Sequence, residues 1–164
     1  MIESIPYVLT GIGIIVSILY YTSVLRNANK TQQMQLETRQ AQLYMQLHLR
    51  VTSPDFHKTA NYVYTLPSET EADFQRLLEP NEDSAQFASM MRGFDSLGHM
   101  VKRGYIDVEM LDGIGGGFAY PRSWGKWENF ILYARKSLGS DYLEGFEYLK
   151  DVIVEYRASK GLTI

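Results

Sequence analysis

The three histidines of the chain, His48, His57 and His99, are the side chains best suited to metal binding or to proton transfer near neutral pH. A zinc or di-iron site on helices needs partner ligands at the ExxH, HExxH or HxxxH spacing. None of the histidines has such a partner, and the chain contains no cysteine. We therefore predict no metal ligand, no cofactor and no catalytic residue, and we expect His99 to lie on a solvated surface.

The glycine-rich segment GIGGG, Gly113–Gly117, is the second place where the sequence could do chemistry. Successive glycine N–H groups can bind a phosphate, but the dinucleotide and P-loop motifs need a strand before the loop and a helix after it. Here the periodicity predicts a helix before the loop, and the next lysine is Lys126. A turn or a close approach of two helices is favoured, and an anion site and a hinge stay open.

Trp124 and Trp127 lie three residues apart and therefore on one face of a predicted helix. Tryptophan is common in cores, in protein interfaces and at bilayer surfaces, so all three locations stay open. Six basic residues can be interpreted in two ways. They either mix with acidic residues on the surface or form a patch that faces anionic headgroups. The residues of that patch are Arg92, Lys102, Arg103, Lys126, Arg135 and Lys136.

Helices separated by clear stops must position these residues. Apolar residues recur at i, i+3, i+4 and i+7 in residues 87–101, and similar stripes occupy residues 124–138 and 142–156. No segment shows the sustained alternation of a half-buried strand. We predict an all-α protein with a helical bundle domain at residues 53–164.

Capping residues and stops predict the helix boundaries. We expect Ser53 with Pro54 to begin a helix, and Gly104 to end a helix in a left-handed conformation. The other predicted caps are a capping box of Ser68 with Glu71, an N-cap at Asp107, and an N-cap at Ser140 or Asp141.

The first residues are typical of a membrane anchor, because no charge lies between Glu3 and Arg26. As a helix, the run Ser4–Leu25 would be ~33 Å long, enough for a hydrocarbon core of ~30 Å. The run lacks the basic N-terminal flank and the cleavage site that a signal peptide would have. The alternative to a membrane anchor is a buried helix of a soluble protein. We predict a single transmembrane helix at residues 1–26 and a helical neck at residues 27–52. The anchor residues include Ile5, Ile12, Ile15, Leu19 and Leu25.

Basic residues on one side of the anchor predict its orientation. Arg26, Lys30 and Arg39 all follow the apolar run, and positive charge stays in the cytoplasm. We therefore expect the N-terminus outside the cell membrane and the bundle in the cytoplasm. A stripe of small residues would permit a helix–helix contact within the membrane, with a second copy or with another membrane protein. The stripe consists of Thr10, Gly13 and Ser17.

Three parts of the bundle carry a resemblance: LGHMVKRGYID at residues 97–107, the pattern of Trp124, Trp127, Ile131 and Arg135, and FEYL at residues 146–149. Together they resemble a family of uncharacterised prokaryotic proteins with one N-terminal membrane helix and a helical cytosolic domain. The resemblance implies a single-pass topology and a helical fold, and it transfers no catalytic residue.

The formal net charge of -3 and the pI near 5.6 argue against nucleic-acid binding, which needs concentrated positive charge. We expect a membrane-anchored helical interaction module, an accessory subunit or scaffold at the cytoplasmic face, without catalysis. Its partners would be membrane lipid and a membrane protein or a second copy. The alternative is a membrane-tethered ligand sensor or enzyme with a pocket near Gly113–Gly117 and Trp124/Trp127.

Overall fold

A computed structural model of the chain describes residues 5–115 and 117–163, of which residues 5–12 are described as backbone only. The described residues form seven helices and no strand, so the prediction of an all-α protein is confirmed. The helices are α1 (Ile5–Val51), α2 (Pro54–Thr65), α3 (Glu71–Leu78), α4 (Glu82–Lys102), α5 (Val108–Gly115), α6 (Ala119–Leu138) and α7 (Glu144–Ser159).

Helix α1 continues without interruption through the polar residues that follow Arg26. Residues up to Gln42 form one compact unit, and the chain from Leu43 onward forms a second. The helical continuation beyond Arg26 is as predicted. No break in the helix marks the division between anchor and neck, so that boundary stays a prediction.

The apolar side chains of α1 between Ile14 and Leu25 are exposed on every side of the helix. Their exposed fractions range from 44% at Val24 to 66% at Tyr21. Consecutive residues of a helix point about 100° apart, so Ile14, Ile15 and Val16 together face three directions. This arrangement differs from the single apolar stripe of a helix that packs against a core.

The predicted anchor is described only in part. Ile5, Thr10 and Ile12 lie outside the residues whose side chains are described. Within the part of the chain that the structure describes, no helix meets both the length and the apolarity that crossing a membrane requires. The transmembrane part of the predicted fold is therefore not confirmed.

The core of the second unit forms around α4, which contacts α2, α3 and α7. The predicted stripe of α4 faces inward, and the ring of Phe87 packs 4.6 Å from Trp127 and 4.8 Å from Phe130 between centroids. Such edge-to-face aromatic pairs are favourable beyond the area they bury. The largest fully buried side chains are Trp127, Phe87, Phe130, Phe146 and Met91.

The tightest helix crossing joins α4 to α7 at two glycines. A Cβ atom at Gly98 would overlap the carbonyl oxygen of Gly145, and a Cβ atom at Gly145 would overlap the carbonyl oxygen of Asp95. Only glycine lets the two backbones approach this closely. This crossing accounts for the most extensive contact between any two helices of the unit.

A buried carboxylate fixes the positions of α2 and α3 against α4. The hydroxyl of Tyr62 donates a hydrogen bond to Asp83, and the guanidinium of Arg76 pairs with the other carboxylate oxygen. Asp83 also lies in the first turn of α4, where the helix dipole favours negative charge. Three consecutive helices are therefore tied together at one residue.

Several predicted caps are confirmed. Ser53 accepts a hydrogen bond from the N–H of Phe56 at 3.2 Å, with Pro54 at the first helical position. Gly104 has φ +70°, and the N–H groups of Gly104 and Tyr105 return to α4 carbonyls as in a Schellman motif. The side chain of Asp107 accepts from the N–H of Glu109 at 2.9 Å, as expected of an N-cap.

Two predicted caps are wrong. The capping box of α3 is formed by Thr70 with Asp73 rather than by Ser68 with Glu71, so the helix begins two residues later than predicted. Helix α7 has Leu143 at its N-cap, in a left-handed conformation and without a side-chain bond, instead of Ser140 or Asp141. In α3 both the predicted pair and the observed pair fit the capping pattern, whereas in α7 the N-cap residue fits no capping pattern. The residues corrected are Ser68, Glu71, Ser140 and Asp141.

Candidate functional site

The second unit carries an open groove of about 2010 Å³. Residues 56–64 of α2 and residues 118–126 of α6 line it from two sides. On α6 the lining residues share one side of the helix, and they are Ala119, Tyr120, Arg122, Ser123 and Lys126. Small residues of α4 line it as well, namely Ala85, Ala88, Ser89, Gly93 and Ser96.

Tyr64 joins α2 to α6 at one part of the groove. Its hydroxyl forms a hydrogen bond with the hydroxyl of Ser123, and its carbonyl oxygen accepts a hydrogen bond from the ammonium group of Lys126. Ser123 also donates to the carbonyl oxygen of Ala119, one turn earlier in α6, at 2.7 Å. These bonds hold the end of α2 against the first half of α6.

Lys126 is the most buried cation of the groove. Its ammonium nitrogen lies 4.9 Å from the centroid of the Trp127 ring and 6.0 Å from that of the Tyr64 ring. Burial of the ammonium group lowers the pKa of Lys126, and the carboxylate of Glu69 opposes this shift. The aromatic rings favour the charged form, because the face of a π-system attracts a cation.

The charges of the groove are predominantly positive. Arg50, Arg92, Arg122 and Lys126 line it, and Asp55 is the one carboxylate among the lining residues. Among the described residues, no carboxylate forms a salt bridge with any of the three arginines. The groove therefore offers unpaired guanidinium groups, although the whole chain has a net charge of -3.

Ser123 and Lys126 have the S-x-x-K spacing of some serine acyl-transfer enzymes. A nucleophile must reach its substrate, but Ser123 is 0% exposed. Both of its hydrogen bonds go to groups of the protein interior. The pair therefore joins two helices and supplies no accessible nucleophile.

A buried ion pair lies beside the glycine-rich segment. Arg157 of α7 contacts Asp112 of α5 at 2.8 Å, and each side chain is only 14% exposed. A Cβ atom at Gly117 would overlap the carboxylate of Asp112. Gly117 therefore leaves room for the pair, and Gly113 lies within α5 rather than in a loop. The cation nearest to these glycines is already neutralised.

Trp124 and Trp127 are 4% and 0% exposed, so of the three locations left open the structure supports the core. Neither ring offers surface to a partner in this conformation. The indole N–H groups of both residues are buried without a hydrogen-bond partner among the described residues. Cations cover the ring faces instead: the ammonium group of Lys150 lies 5.3 Å from the Trp124 centroid.

The three histidines lie apart from one another. His57 lines the groove, His48 stacks on Tyr44, and His99 contacts Asp95 at 3.6 Å on a half-exposed face of α4. Within the described residues, no three His, Asp or Glu side chains come close enough to hold a metal ion.

The suggested basic patch is divided between two environments. Lys102 pairs with Glu144 at 3.5 Å, and Arg135 pairs with Glu147 at 2.8 Å. These cations are partly neutralised by their neighbours. The members of the patch that line the groove are Arg92 and Lys126.

Comparison with family models, curated proteins and solved structures finds no match to the chain. The resemblance carried by residues 97–107 and 146–149 therefore stays a prediction. The groove has to be interpreted from its own residues.

The sequence analysis missed the groove, because its two sides lie far apart in the chain. Tyr64 and Lys126, which contact each other, are 62 residues apart. One local signal was present: Phe118, Arg122 and Lys126 recur every four residues on α6. They define a second face of that helix, beside the buried Trp124/Trp127 face.

Proposed function

We propose that the protein is a membrane-anchored helical interaction module, an accessory subunit or scaffold held at the cytoplasmic face of the cell membrane. The observation that supports it most directly is the exposure of apolar side chains around the whole circumference of α1 from Ile14 to Leu25. A helix that is apolar on all sides is stable in lipid or in a protein core.

Two hydroxyl groups of the segment are compatible with lipid. Ser17 donates to the carbonyl oxygen of Gly13 at 2.8 Å, and Thr22 donates to that of Ile18 at 2.7 Å. Both hydroxyls are satisfied within the helix, so lipid would not have to accept an unpaired donor. The uncharged run also extends towards the N-terminus as far as Ser4, which brings its length to the thickness of a bilayer.

Anchoring gives the second unit a defined advantage. A tethered domain meets membrane partners at a high effective concentration without any new contact. The positive charges of Arg26, Lys30 and Arg39 follow the apolar run and favour a cytoplasmic location for the bundle. Self-association or a partner helix at Gly13 and Ser17 remains part of the proposal.

Alkaline carbonate extraction of membranes tests the anchor. The intact chain should stay in the membrane pellet and dissolve only with detergent. The double variant Ile15→Lys/Leu19→Lys should move to the soluble fraction, because each central lysine costs about 3 kcal/mol on insertion. Leu132→Lys, an exposed apolar position of α6, is the matched control and should stay in the pellet. Release of the unmodified chain by carbonate would exclude the anchor.

The orientation is tested by labelling introduced cysteines with a membrane-impermeant maleimide, since the chain has no cysteine of its own. Ser140→Cys should react only after the cells are made permeable, and Glu3→Cys should react before. The reverse pattern would place the bundle outside the cell.

The alternative function, a ligand sensor or enzyme with a pocket at Gly113–Gly117 and Trp124/Trp127, has less support. Both tryptophans are core residues, and Arg157 beside the glycines is paired with Asp112. The main concave surface lies instead between α2 and α6.

A further inference from the structure

We propose that the groove between α2 and α6 binds an acidic amphipathic helix of a partner protein. This proposal rests on the proposed role as an interaction module and specifies the partner's chemistry. The anchor is not needed for it, because the groove belongs entirely to the second unit.

The charge of the groove determines the sign of the occupant. Arg50, Arg92 and Arg122 have no carboxylate partner among the described residues, and Lys126 adds a partly buried positive charge. Unpaired guanidinium groups recognise carboxylates with two parallel hydrogen bonds. A partner rich in Glu or Asp would supply them, and a basic partner would be repelled.

The shape of the groove determines the secondary structure of the occupant. The faces of α2 and α6 that line it, residues 56–64 and 118–126, each rise ~12 Å along their helix. A helix of roughly 12 residues is ~18 Å long and ~10 Å wide, and so fills roughly 1400 Å³. The groove of about 2010 Å³ accommodates it, whereas a small-molecule pocket is usually about 300–1000 Å³.

The lining supplies both parts of an amphipathic contact. Apolar surface is offered by Leu47, Val51, Phe56 and Phe118, of which Phe118 is the most exposed. Several of the α4 residues that line the groove are short, among them Ala85, Ala88 and Ser89, so a helix backbone can approach α4 closely at these positions. Recognition of an amphipathic helix in a groove uses apolar anchors at i, i+3, i+4 and i+7 together with charges beside them.

The test uses the full chain in uncharged detergent micelles and a synthetic helical peptide. The peptide carries Leu at i, i+3, i+4 and i+7, Glu at the flanking positions, and a neutral fluorescent label. Binding is measured by anisotropy at about 50 mM and about 300 mM salt, because screening separates charge attraction from apolar contact. The Glu peptide should bind and become more helical, and its counterpart with Lys at every Glu position should not bind.

Three variants of the protein locate the contact. The double variant Arg50→Glu/Arg122→Glu should lower the affinity for the Glu peptide at least about tenfold. Ser89→Trp fills the groove without changing its charge, and it should lower the affinity for the Glu peptide as strongly. Arg103→Glu, an exposed arginine outside the groove, is the matched control and should bind as the unmodified chain does. Circular dichroism of each variant checks that the helical fold is intact.

The remaining outcomes overturn the proposal. If Arg50→Glu/Arg122→Glu binds the Glu peptide as tightly as Arg103→Glu does, the peptide binds outside the groove. If Ser89→Trp binds the Glu peptide as tightly as the unmodified chain does, only surface charge attracts the peptide and the shape of the groove plays no part. If the chain sediments as a dimer that Ser89→Trp converts to monomer, the occupant is a second copy. If vesicles with anionic lipid bind through the same arginines while the peptide does not, the surface recognises headgroups. If carbonate releases the unmodified chain but the peptide binds as expected, the anchor is excluded and the groove proposal holds. The two proposals can therefore be distinguished.

Discussion

Asp95 of α4 caps the first turn of α7 and contacts Gly145, which lies 50 residues further along the chain. Its Oδ1 atom accepts hydrogen bonds from the N–H groups of Gly145 at 2.8 Å and of Phe146 at 3.2 Å. The first N–H groups of a helix have no partner within the helix, and the positive end of its dipole favours a carboxylate. A tertiary contact therefore supplies the cap that Ser140 and Asp141 were predicted to supply.

The glycine crossing beside this cap predicts a large difference between two substitutions in one helix. Gly98→Ala would drive a methyl group into the backbone of Gly145 and should lower the free energy of unfolding by about 2–4 kcal/mol. Gly93→Ala meets no atom within 4 Å and should raise it by about 0.5–1 kcal/mol, because alanine favours the helix. Urea unfolding followed by tryptophan fluorescence measures both. Equal effects would mean that α4 and α7 do not cross at these glycines.

The corrected cap of α3 predicts which side chain stabilises that helix. Thr70→Ala removes the acceptor for the N–H of Asp73 and should cost about 1 kcal/mol. Ser68→Ala should change the free energy of unfolding by less than about 0.3 kcal/mol, since Ser68 lies before the capping box. The same urea experiment compares them. A larger loss at Ser68 would restore the boundary predicted from the sequence.

Local patterns predicted the helices because burial and capping follow short-range periodicity. The stripe of α4 and the left-handed Gly104 illustrate this, since each depends on residues within one or two turns. Features that join distant segments escaped prediction. Three such features are the Asp95 cap, the Gly98–Gly145 crossing and the Tyr64–Lys126 contact, each between residues 47 or more positions apart. A single sequence does not show which residues meet at such separations.

The ion pair of Asp112 with Arg157 predicts a stability loss that a surface pair would not show. Removing either partner leaves the other charge largely buried, so Arg157→Met should cost about 2–4 kcal/mol. A double-mutant cycle with Asp112→Asn should show strong coupling between the two sites. The exposed pair of Lys102 with Glu144 is the control, and Glu144→Gln should cost less than about 0.5 kcal/mol. Additive effects of Arg157→Met and Asp112→Asn would show that the pair does not form.

Tyr120 predicts a specific loss of stability at alkaline pH. Burial, together with the nearby carboxylate of Asp112, raises the pKa of its hydroxyl from 10.0 to about 12. A group whose pKa is raised by folding contributes stability that is fully present below the ordinary value and is lost as the pH rises through the folded value. The contribution of Tyr120 should therefore disappear between pH 10.0 and about 12.

Substitution isolates this contribution from the other groups that titrate at high pH. The variant Tyr120→Phe keeps the ring against Phe94 but has no ionisable hydroxyl. Between pH 10.0 and about 12, the free energy of unfolding of the unmodified chain should fall by about 2–3 kcal/mol more than that of Tyr120→Phe. Tyr105→Phe, at an exposed position, should follow the unmodified chain across the same range. Urea unfolding at a series of pH values gives these differences directly. Parallel curves for the unmodified chain and Tyr120→Phe would mean that the hydroxyl is solvated in the folded state, because only a desolvated phenol resists ionisation.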